Sequence, residues 1–143
     1  DKKERETVLE RLKSETRTTI FYEAPHRLLK TLKVLRESAG NRRLTICKEL
    51  TKRHEKNWLT TLDEAIEWYE ANDARGEYVL VLEGADEKAL EEERQAAWDA
   101  MSIEDHMDLY LAKGQSKKEA MKSVAADRGI TKRDVYQYLL QDK

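Results

Sequence analysis

Several residue types are scarce in this chain of 143 residues, which has one cysteine, one proline and five glycines. A single cysteine excludes an internal disulfide and a metal site built from several thiolates, and it suits a reducing compartment. None of the five glycines belongs to a Gly-x-Gly pair, so no glycine-rich phosphate loop is predicted. Long apolar runs are missing too, and neither a membrane span nor a secretory leader is predicted. We therefore expect a cytoplasmic protein.

Charge is abundant and unevenly distributed. Charged residues make up 39% of the chain, the same share as apolar residues, which predicts a modest core beneath a densely ionic surface. Residues 24–56 carry ten lysines and arginines against three acidic residues. Residues 57–112 carry three against sixteen, and residues 113–143 carry eight against four. A polyanion would therefore meet two basic regions separated by an acidic one.

The first half of the chain alternates between strand-like and helix-like segments. Residues 18–22 are β-branched and aromatic, which predicts a strand. Pro25 then suits the first turn of a helix, where a missing N–H is tolerated. Leucines at three- and four-residue spacing follow and predict one apolar helical face that ends near Gly40. These leucines are Leu28, Leu29, Leu32 and Leu35.

Three further strands are predicted at residues 43–48, 56–60 and 78–82. The last is an almost continuous apolar run, which is typical of a strand covered on both faces. Between the last two strands, Thr61 and Glu64 have the spacing of a capping box and predict the start of a helix. We therefore expect a leading charged helix over residues 1–14 and an α/β lobe over residues 15–85.

Residues 86–143 contain only helical patterns. Hydroxyl-to-carboxylate spacings of the capping-box kind predict helix starts at Ser102, Ser116 and Thr131. Around Gly129 the apolar residues have the spacing of a helix-turn-helix, in which glycine makes the turn. Such a helix pair indicates nucleic-acid contact. Packing or dimerisation is an equally open interpretation of this tail.

The most specific signals are two short motifs that follow the first two predicted strands. Residues 21–28 read Phe-Tyr-Glu-Ala-Pro-His-Arg-Leu, and residues 47–52 read Cys-Lys-Glu-Leu-Thr-Lys. Both motifs resemble those of the ribosomal RNA small subunit methyltransferase I family, within the tetrapyrrole methylase superfamily. The resemblance continues through residues 61–65 and 76–84, and the tail matches more loosely.

The resemblance implies an S-adenosyl-L-methionine-dependent enzyme that methylates the 2′-hydroxyl of a cytidine in small-subunit (16S) ribosomal RNA. The implied fold is the carboxyl-terminal α/β lobe of a tetrapyrrole methylase, a mixed sheet with flanking helices, followed here by a helix-turn-helix-like tail. Family members bind the cofactor through a glycine-rich loop in an amino-terminal lobe, and that loop is missing from this chain.

The chain also starts without methionine, so we expect a carboxyl-terminal portion that is inactive alone. Its expected partners are the missing amino-terminal lobe and the small-subunit ribosomal RNA or the small ribosomal subunit. A second copy in a homodimer is also expected, and no membrane.

The resemblance also implies where the cofactor lies. In this superfamily, residues after the first strand of the lobe line the adenosyl part of the cofactor, and the end of the second strand flanks the same cleft. The corresponding residues here are Tyr22, Glu23, Ala24, Pro25 and Cys47. For catalysis the candidates are Glu23, Lys48 and Glu49, because a carboxylate beside a lysine can orient or deprotonate a ribose hydroxyl. An alternative interpretation of Glu23 is a charge that favours a helix N-terminus.

Basic residues near these strands and on the tail are candidates for contacts with RNA phosphates, which lysine and arginine bind without reading sequence. The candidates are His26, Arg27, Lys52, Arg53, Lys132 and Arg133. A solvated basic face is the alternative, as is an internal ion pair for His26 and Arg27. The three histidines are too scattered along the chain to predict a metal site.

Two other functions remain open. The chain could be a nucleic-acid-binding or dimerisation module without a catalytic role, given its basic regions and its helical tail. Methylation of a tetrapyrrole is a third alternative within the superfamily, although the two motifs favour the RNA branch.

Overall fold

A computed structural model describes residues 1–141 of the chain. The described strands are β1 (Thr19–Glu23), β2 (Arg43–Lys48), β3 (Lys56–Thr61) and β4 (Tyr78–Leu82). The described helices are α1 (Lys2–Leu12), α2 (Leu28–Ala39), α3 (Leu62–Ala71), α4 (Glu87–Ala100), α5 (Ile103–Ala112), α6 (Lys117–Arg128) and α7 (Lys132–Gln141). A 3₁₀ turn over Pro25–Arg27 leads directly into α2. The predicted α/β class with a helical tail is confirmed.

The chain divides into two compact units, Asp1–Glu87 and Lys88–Lys143. The first unit contains the sheet and helices α1 to α3. The second unit contains nearly all of α4 and, within the described residues, only helices.

The sheet has the strand order β1-β4-β2-β3, so the last strand in the chain lies between the first two. β4 pairs antiparallel with both neighbours, and β2 pairs antiparallel with β3. All pairings among the described strands are thus antiparallel, where a mixed sheet was expected. Because β1 and β2 both run opposite to β4, they point the same way and end at the same edge. At that edge Glu23 and Lys48 both lie opposite Tyr78.

One face of the sheet carries the core of the first unit. Side chains alternate between the two faces of a strand, and the inward residues of β4, namely Tyr78, Leu80 and Leu82, are at most 3% exposed. They pack with Leu44 and Ile46 of β2 and with apolar side chains from α1, α2 and α3. The three helices therefore cover this face.

The other face of the sheet is open in the described part of the chain. Val79 and Val81 of β4 are only half-buried, so the prediction of a strand covered on both faces is wrong for these residues. Ile20, Tyr22 and Leu59 lie on the same face by the strand register and are 57%, 83% and 80% exposed. The apolar run of β4 therefore combines one packed face with one accessible apolar face.

Helix α2 forms where the leucine spacing predicted it. Leu28, Leu32 and Leu35 are at most 1% exposed, whereas Leu29 is half-buried at the margin of the apolar face. The helix ends at Gly40, whose φ of 80° lies in the region that favours glycine.

The predicted capping box at the start of α3 is only half formed. The Thr61 hydroxyl accepts a hydrogen bond from the Glu64 N–H at 3.2 Å, as predicted. The Glu64 carboxylate, however, accepts from the hydroxyl of Thr60 at 2.9 Å instead of from the backbone. The boxes that begin α6 at Ser116 and α7 at Thr131 are complete, with reciprocal backbone bonds.

The second unit packs α5, α6 and α7 around a small apolar core. That core consists of Met107, Ala120, Val124, Ala125 and Val135. Helices α6 and α7 are joined by residues 129–131, in which Gly129 adopts a left-handed conformation with φ 66° and ψ 32°. Glycine makes the turn, as the sequence predicted.

A buried imidazole lies beside this core. His106 is fully buried, and its Nδ1 accepts from Nε of Arg128 at 2.9 Å while its Nε2 lies 2.9 Å from Asp127. Because a guanidinium only donates, Nδ1 carries no proton and Nε2 donates to the carboxylate. The indole of Trp98 stacks on the imidazole with 4.1 Å between ring centroids, and the Tyr110 hydroxyl donates to the same carboxylate. His106 is thus a structural residue with a fixed tautomer.

No helix within residues 1–141 is long and apolar enough to cross a membrane. In the same range, no group of three or more His, Cys, Asp or Glu side chains is placed to hold a metal ion. The three histidines lie in the 3₁₀ turn, in the loop between β2 and β3, and in α5.

Arg42 and Gly84 hold the two ends of the first unit together. The Arg42 guanidinium donates to the carbonyls of Leu12 and Lys13 at 2.9 and 3.0 Å, which satisfies the end of α1. Gly84 follows β4, and a Cβ at this position would lie 1.9 Å from the carbonyl oxygen of Thr16. The two chain segments can therefore approach this closely only because residue 84 has no side chain.

Gly84→Ala should destabilise the chain by more than about 3 kcal/mol, because the added methyl would overlap backbone that cannot move aside. Gly40→Ala is the matched control, since a Cβ there meets no atom within 4 Å and only the positive φ opposes it. We expect the control to lose about 1–2 kcal/mol. Urea denaturation followed by circular dichroism measures both, and equal losses would show that the close contact is unimportant.

Candidate functional site

The ends of β1 and β2 meet across the beginning of β4 and border an open groove of about 580 Å³. We call it the edge groove. Its lining residues are Tyr22, Glu23, Ala24, Leu50, Thr51, Glu77, Tyr78 and Val79. Both sequence motifs contribute to it, since Tyr22 to Ala24 belong to the first and Leu50 and Thr51 to the second. The topology of the sheet therefore brings together two segments that lie more than twenty residues apart.

Aromatic and apolar surface is available in the edge groove. The Tyr22 side chain is 83% exposed, although it belongs to a strand and lies on an apolar sheet face. Val79 of β4 pairs directly with Tyr22 across the strands, and Leu50 is 40% exposed. An exposed aromatic ring beside small apolar side chains suits a flat, partly apolar ligand.

Glu23 is held by the chain that surrounds it. One carboxylate oxygen accepts from the N–H of Ala24 at 3.0 Å, and the other accepts from the Thr31 hydroxyl at 2.5 Å. Thr31 is a buried residue of α2. Both oxygens are thus engaged, and the side chain fixes the passage from β1 into the 3₁₀ turn.

The 3₁₀ turn begins with Pro25 and closes through a hydrogen bond from the Arg27 N–H to the carbonyl of Ala24 at 3.1 Å. Proline suits this first position because its fixed φ is compatible with the turn. His26 and Arg27 are exposed in the turn. Pro25 itself does not line the edge groove.

Glu49 holds the loop after β2 against the turn before β4 through contacts with Glu77 and Lys52, which we call the Glu49 lock. Its N–H donates to the Glu77 carbonyl at 2.9 Å, and its carboxylate accepts from the Glu77 N–H at 2.9 Å. The second carboxylate oxygen lies 3.2 Å from the Lys52 ammonium. The Glu77 N–H and then Lys52 stabilise the anion, so the pKa of Glu49 lies below its usual value. A Cβ on Gly76 would lie 2.0 Å from the Glu49 carboxylate, so glycine makes room for this contact.

The loop that contains this lock is tightly wound. Glu49 and Thr51 have φ of 54° and 65°, values that residues other than glycine rarely adopt. The Lys52 ammonium bridges the carboxylates of Glu49 and Glu77, the latter at 2.7 Å, and both raise its pKa, Glu77 more than Glu49. Lys52, predicted to contact RNA, is therefore occupied by an internal ion pair in this structure.

The remaining predicted residues of the first unit surround the edge groove without lining it. Cys47 is buried on β2 beside Val79, and burial raises the pKa of its thiol. Lys48 is half-buried at the end of β2, and Arg53 is exposed in the loop that follows.

Lys132 and Arg133 belong to the second unit, in the first turn of α7. Arg133 is exposed and Lys132 is half-buried. They therefore belong to a different unit from the other predicted RNA contacts.

Sequence reasoning missed several groove residues, because their position depends on strand order. Glu77, Tyr78 and Val79 enter the site only because β4 lies between β1 and β2. The sequence offered one signal, since Gly76 and Glu77 directly precede the apolar run of β4. Thr31, the partner of Glu23, gave no signal that distinguishes it from other residues of α2.

A second open cavity of about 510 Å³ lies at the other end of the same sheet, between β2, β3 and β4. Its charged groups include Arg43 and Glu83, which form a salt bridge of 2.7 Å with each other. Neither sequence motif reaches this cavity. The edge groove is therefore the better candidate for a functional site.

Comparison with known proteins shows that the chain is similar to proteins named as methyltransferases. The family model described as Tetrapyrrole (Corrin/Porphyrin) Methylases matches residues 1–66. The chain is 42% identical to the ribosomal RNA small subunit methyltransferase I of Bacillus subtilis over 135 aligned residues. The aligned region covers 94% of this chain and 46% of that protein. The protein of the same name from Halalkalibacterium halodurans is 43% identical over 141 residues, with 99% and 48% covered.

A third relative with this name, from Synechocystis, is 37% identical over 138 residues, which covers 96% of this chain and 48% of that protein. The chain thus spans about half the length of the curated relatives it matches.

The Glu49 lock should make stability depend on pH in a defined direction. Because the pKa of Glu49 is lower in the folded chain, its stabilisation is complete above the ordinary glutamate pKa of 4.5 and disappears as the pH falls through the folded value. Glu49→Gln should therefore lower the urea midpoint at neutral pH, and the difference from the unsubstituted chain should shrink below about pH 4.5.

Glu37→Gln, at an exposed position on α2, is the control for this titration. This substitution should leave the urea midpoint nearly unchanged at neutral pH and in the acidic range. If the urea midpoints of Glu49→Gln and the unsubstituted chain differ by the same amount down to pH 3, the Glu49 carboxylate does not stabilise the fold as proposed.

Proposed function

Because the chain belongs to the ribosomal RNA small subunit methyltransferase I family, within the tetrapyrrole methylases, we propose that it forms one lobe of an S-adenosyl-L-methionine-dependent enzyme that methylates small-subunit ribosomal RNA. The lobe provides one wall of the cofactor site and a basic surface for RNA. The rest of the enzyme corresponds to the half of the relatives that this chain does not span.

The observation that carries this proposal is the meeting of both motifs at one sheet edge. Two segments with the signature of the family converge on the edge groove, although the chain between them forms a helix and a strand. Ligands of α/β proteins commonly bind beyond the carboxyl ends of strands that point the same way. The groove is also open, as one wall of a site shared with a second lobe must be.

The residues of the edge groove fit the adenosyl part of the methyl donor. The exposed ring of Tyr22 provides a stacking surface for a purine, and Ala24 and Val79 leave space beside it. The carboxylate of Glu77 also borders the groove, where it is paired with the Lys52 ammonium at 2.7 Å. When bound, the cofactor supplies an electrophilic methyl group on a positively charged sulfur.

Glu23 is assigned a positioning role in this proposal. Its two hydrogen bonds to Ala24 and Thr31 hold the turn that shapes the groove, and neither oxygen is left free to act as a base. Glu49 is committed in the same way to Glu77 and Lys52. Lys48 is the remaining catalytic candidate, since its ammonium has no hydrogen-bonded partner among the described residues.

The target atom within the RNA is a finer proposal. We assign the reaction to the 2′-hydroxyl of a cytidine, as the two motifs imply. Methyl transfer to a hydroxyl is an in-line displacement, in which holding oxygen, carbon and sulfur collinear supplies much of the rate. The proton of the hydroxyl passes to solvent water, since the carboxylates of Glu23 and Glu49 are already hydrogen-bonded, and an ammonium such as that of Lys48 stabilises the developing negative charge on the oxygen.

RNA contact is proposed at two places. In the first unit His26, Arg27 and Arg53 are exposed around the edge groove, and in the second unit Lys132 and Arg133 begin α7. The duplex major groove of RNA is too narrow for a helix, so the tail would contact backbone or unpaired bases. If the tail instead binds a second copy of the chain, it provides the expected homodimer contact.

Tyr22→Ala should weaken binding of S-adenosylhomocysteine, the demethylated cofactor, by about 0.5–1.5 kcal/mol, or roughly two- to tenfold in Kd. Ile20→Ala is the control, since Ile20 lies on the same strand and face but outside the groove. Calorimetric titration of a polypeptide completed to the length of the relatives measures both. Equal weakening in the two variants would remove Tyr22 from the site.

The reaction itself is tested with the same completed polypeptide, small ribosomal subunits that lack the modification, and S-adenosyl-L-methionine labelled in its methyl group. We expect label in small-subunit RNA, and nuclease digestion with mass spectrometry should place it on a 2′-O-methylcytidine. Label on a base would overturn the assignment of the target atom alone. RNA binding without any methyl transfer would support the alternative, a non-catalytic binding module.

A further inference from the structure

Several cations of the first unit form ion pairs, as in Lys33 with Glu70 at 3.1 Å and Arg36 with Asp63 at 2.5 Å. Lys48, Arg53 and Lys56, in the segment from the end of β2 to the start of β3, form no salt bridge or side-chain hydrogen bond among residues 1–141. This short segment therefore carries three cations that no carboxylate of the described chain holds in an ion pair.

Lys48 and Lys56 lie directly opposite each other on neighbouring antiparallel strands. Side chains at opposed positions point to the same face and have Cβ atoms about 4.5–5.5 Å apart, so like charges there repel each other. In the absence of a ligand, this arrangement of like charges does not stabilise the sheet. An anion placed between the two ammonium groups would turn the repulsion into two favourable contacts.

The backbone around this pair is held in place before any ligand binds. The Glu49 lock and the Lys52 bridge to Glu77 anchor the loop that connects the two lysines. The same contacts occupy both oxygens of the Glu49 carboxylate, so Lys48 acts on it through its charge without forming a salt bridge. Glu55 is the other acidic residue of the loop, and it forms no salt bridge within the described chain.

We propose that Lys48 and Lys56, opposed across β2 and β3, form a binding site for a phosphate of the RNA backbone. This inference rests on the proposed function and extends it, since Lys56 belongs to neither motif. A tetrahedral phosphate can accept from two ammonium groups at once, and lysine binds phosphate as a point charge. The exposed guanidinium of Arg53 would contact a neighbouring phosphate of the same strand.

The lysine pair lies at the same end of the sheet as the edge groove. Lys48 ends β2 and lies opposite Tyr78, so by the strand register its side chain is on the face of the sheet that carries the core. Tyr22 and Val79 lie on the other face. A phosphate held by the pair would therefore lie on the helical side of the strand ends that border the groove.

The test measures binding of a fluorescent single-stranded RNA from the small subunit to the 143-residue chain at several salt concentrations. The slope of log K against log salt should fall by about 0.7 for each single-strand phosphate contact that is lost. We expect a reduced slope for Lys48→Gln and Lys56→Gln. Lys33→Gln, whose lysine pairs with Glu70 on the helical side, should keep the unsubstituted slope.

Lys56→Glu separates loss of binding from loss of folding. It places opposite charges across the two strands, so the free chain should be at least as resistant to urea as the unsubstituted chain. RNA binding should nevertheless fall more in this variant than in Lys56→Gln. An unchanged salt slope in Lys48→Gln and Lys56→Gln would overturn the phosphate site and leave the proposed function standing.

Two other outcomes also contradict the phosphate site. Weaker cofactor binding with unchanged RNA binding would reassign the lysines to the carboxylate of the methyl donor. If the unsubstituted chain does not bind RNA at any salt concentration, the lysine pair is not a phosphate site of this lobe. Methyl transfer by the completed polypeptide would then decide the proposed function independently.

Discussion

The position of β4 between β1 and β2 determines the rest of the first unit. Because β4 pairs antiparallel with both neighbours, two strands that are distant in sequence point the same way and end together. The inward side chains of β4 make the centre of the core, and its outward side chains form part of an accessible apolar face. The two motifs meet at the edge groove because of this position of β4, whereas the lysine pair arises from the pairing of β2 with β3.

The charged residues near the groove fall into two groups with different functions. Glu23, Glu49 and Lys52 look like catalytic or RNA-binding residues in sequence, but their polar atoms are bound to the chain itself. They fix the two turns that border the groove. Lys48 and Lys56 have no such partner among residues 1–141 and are available to a ligand. Hydrogen bonding and ion pairing thus distinguish the residues that position the chain from those that a ligand can reach.

Local patterns in the sequence predicted the elements, and the nonlocal contacts could not be predicted. The strand at residues 43–48, the end of α2 at Gly40 and the turn at Gly129 follow from periodicity and from glycine geometry. The place of β4 in the sheet depends on which strands pair, and short-range spacing contains no information about pairing. The half-formed cap at Thr61 has a local cause instead, because the neighbouring Thr60 hydroxyl donates to the Glu64 carboxylate.

The same distinction applies to the site. The segment around Tyr22 and Glu23 was identified from the sequence, because its motif resembles that of a methyltransferase family and follows a predicted strand. The partners Thr31 and Glu77 were not, since each is joined to the motif by the folded backbone. His106 shows this most clearly, because its contacts with Arg128, Asp127 and Trp98 involve residues 8 to 22 positions away in sequence.

The central claim is that the methyl donor lies against the edge groove of this lobe. Photolabelling with an azido-adenosyl analogue of S-adenosyl-L-methionine, in a polypeptide completed to the length of the relatives, tests it most directly. The predicted labelled peptides contain residues 22–24 or 50–51, and unlabelled cofactor should suppress the labelling. Competable label in this chain that appears only in the second unit, or only near the cavity between β2, β3 and β4, would contradict the account.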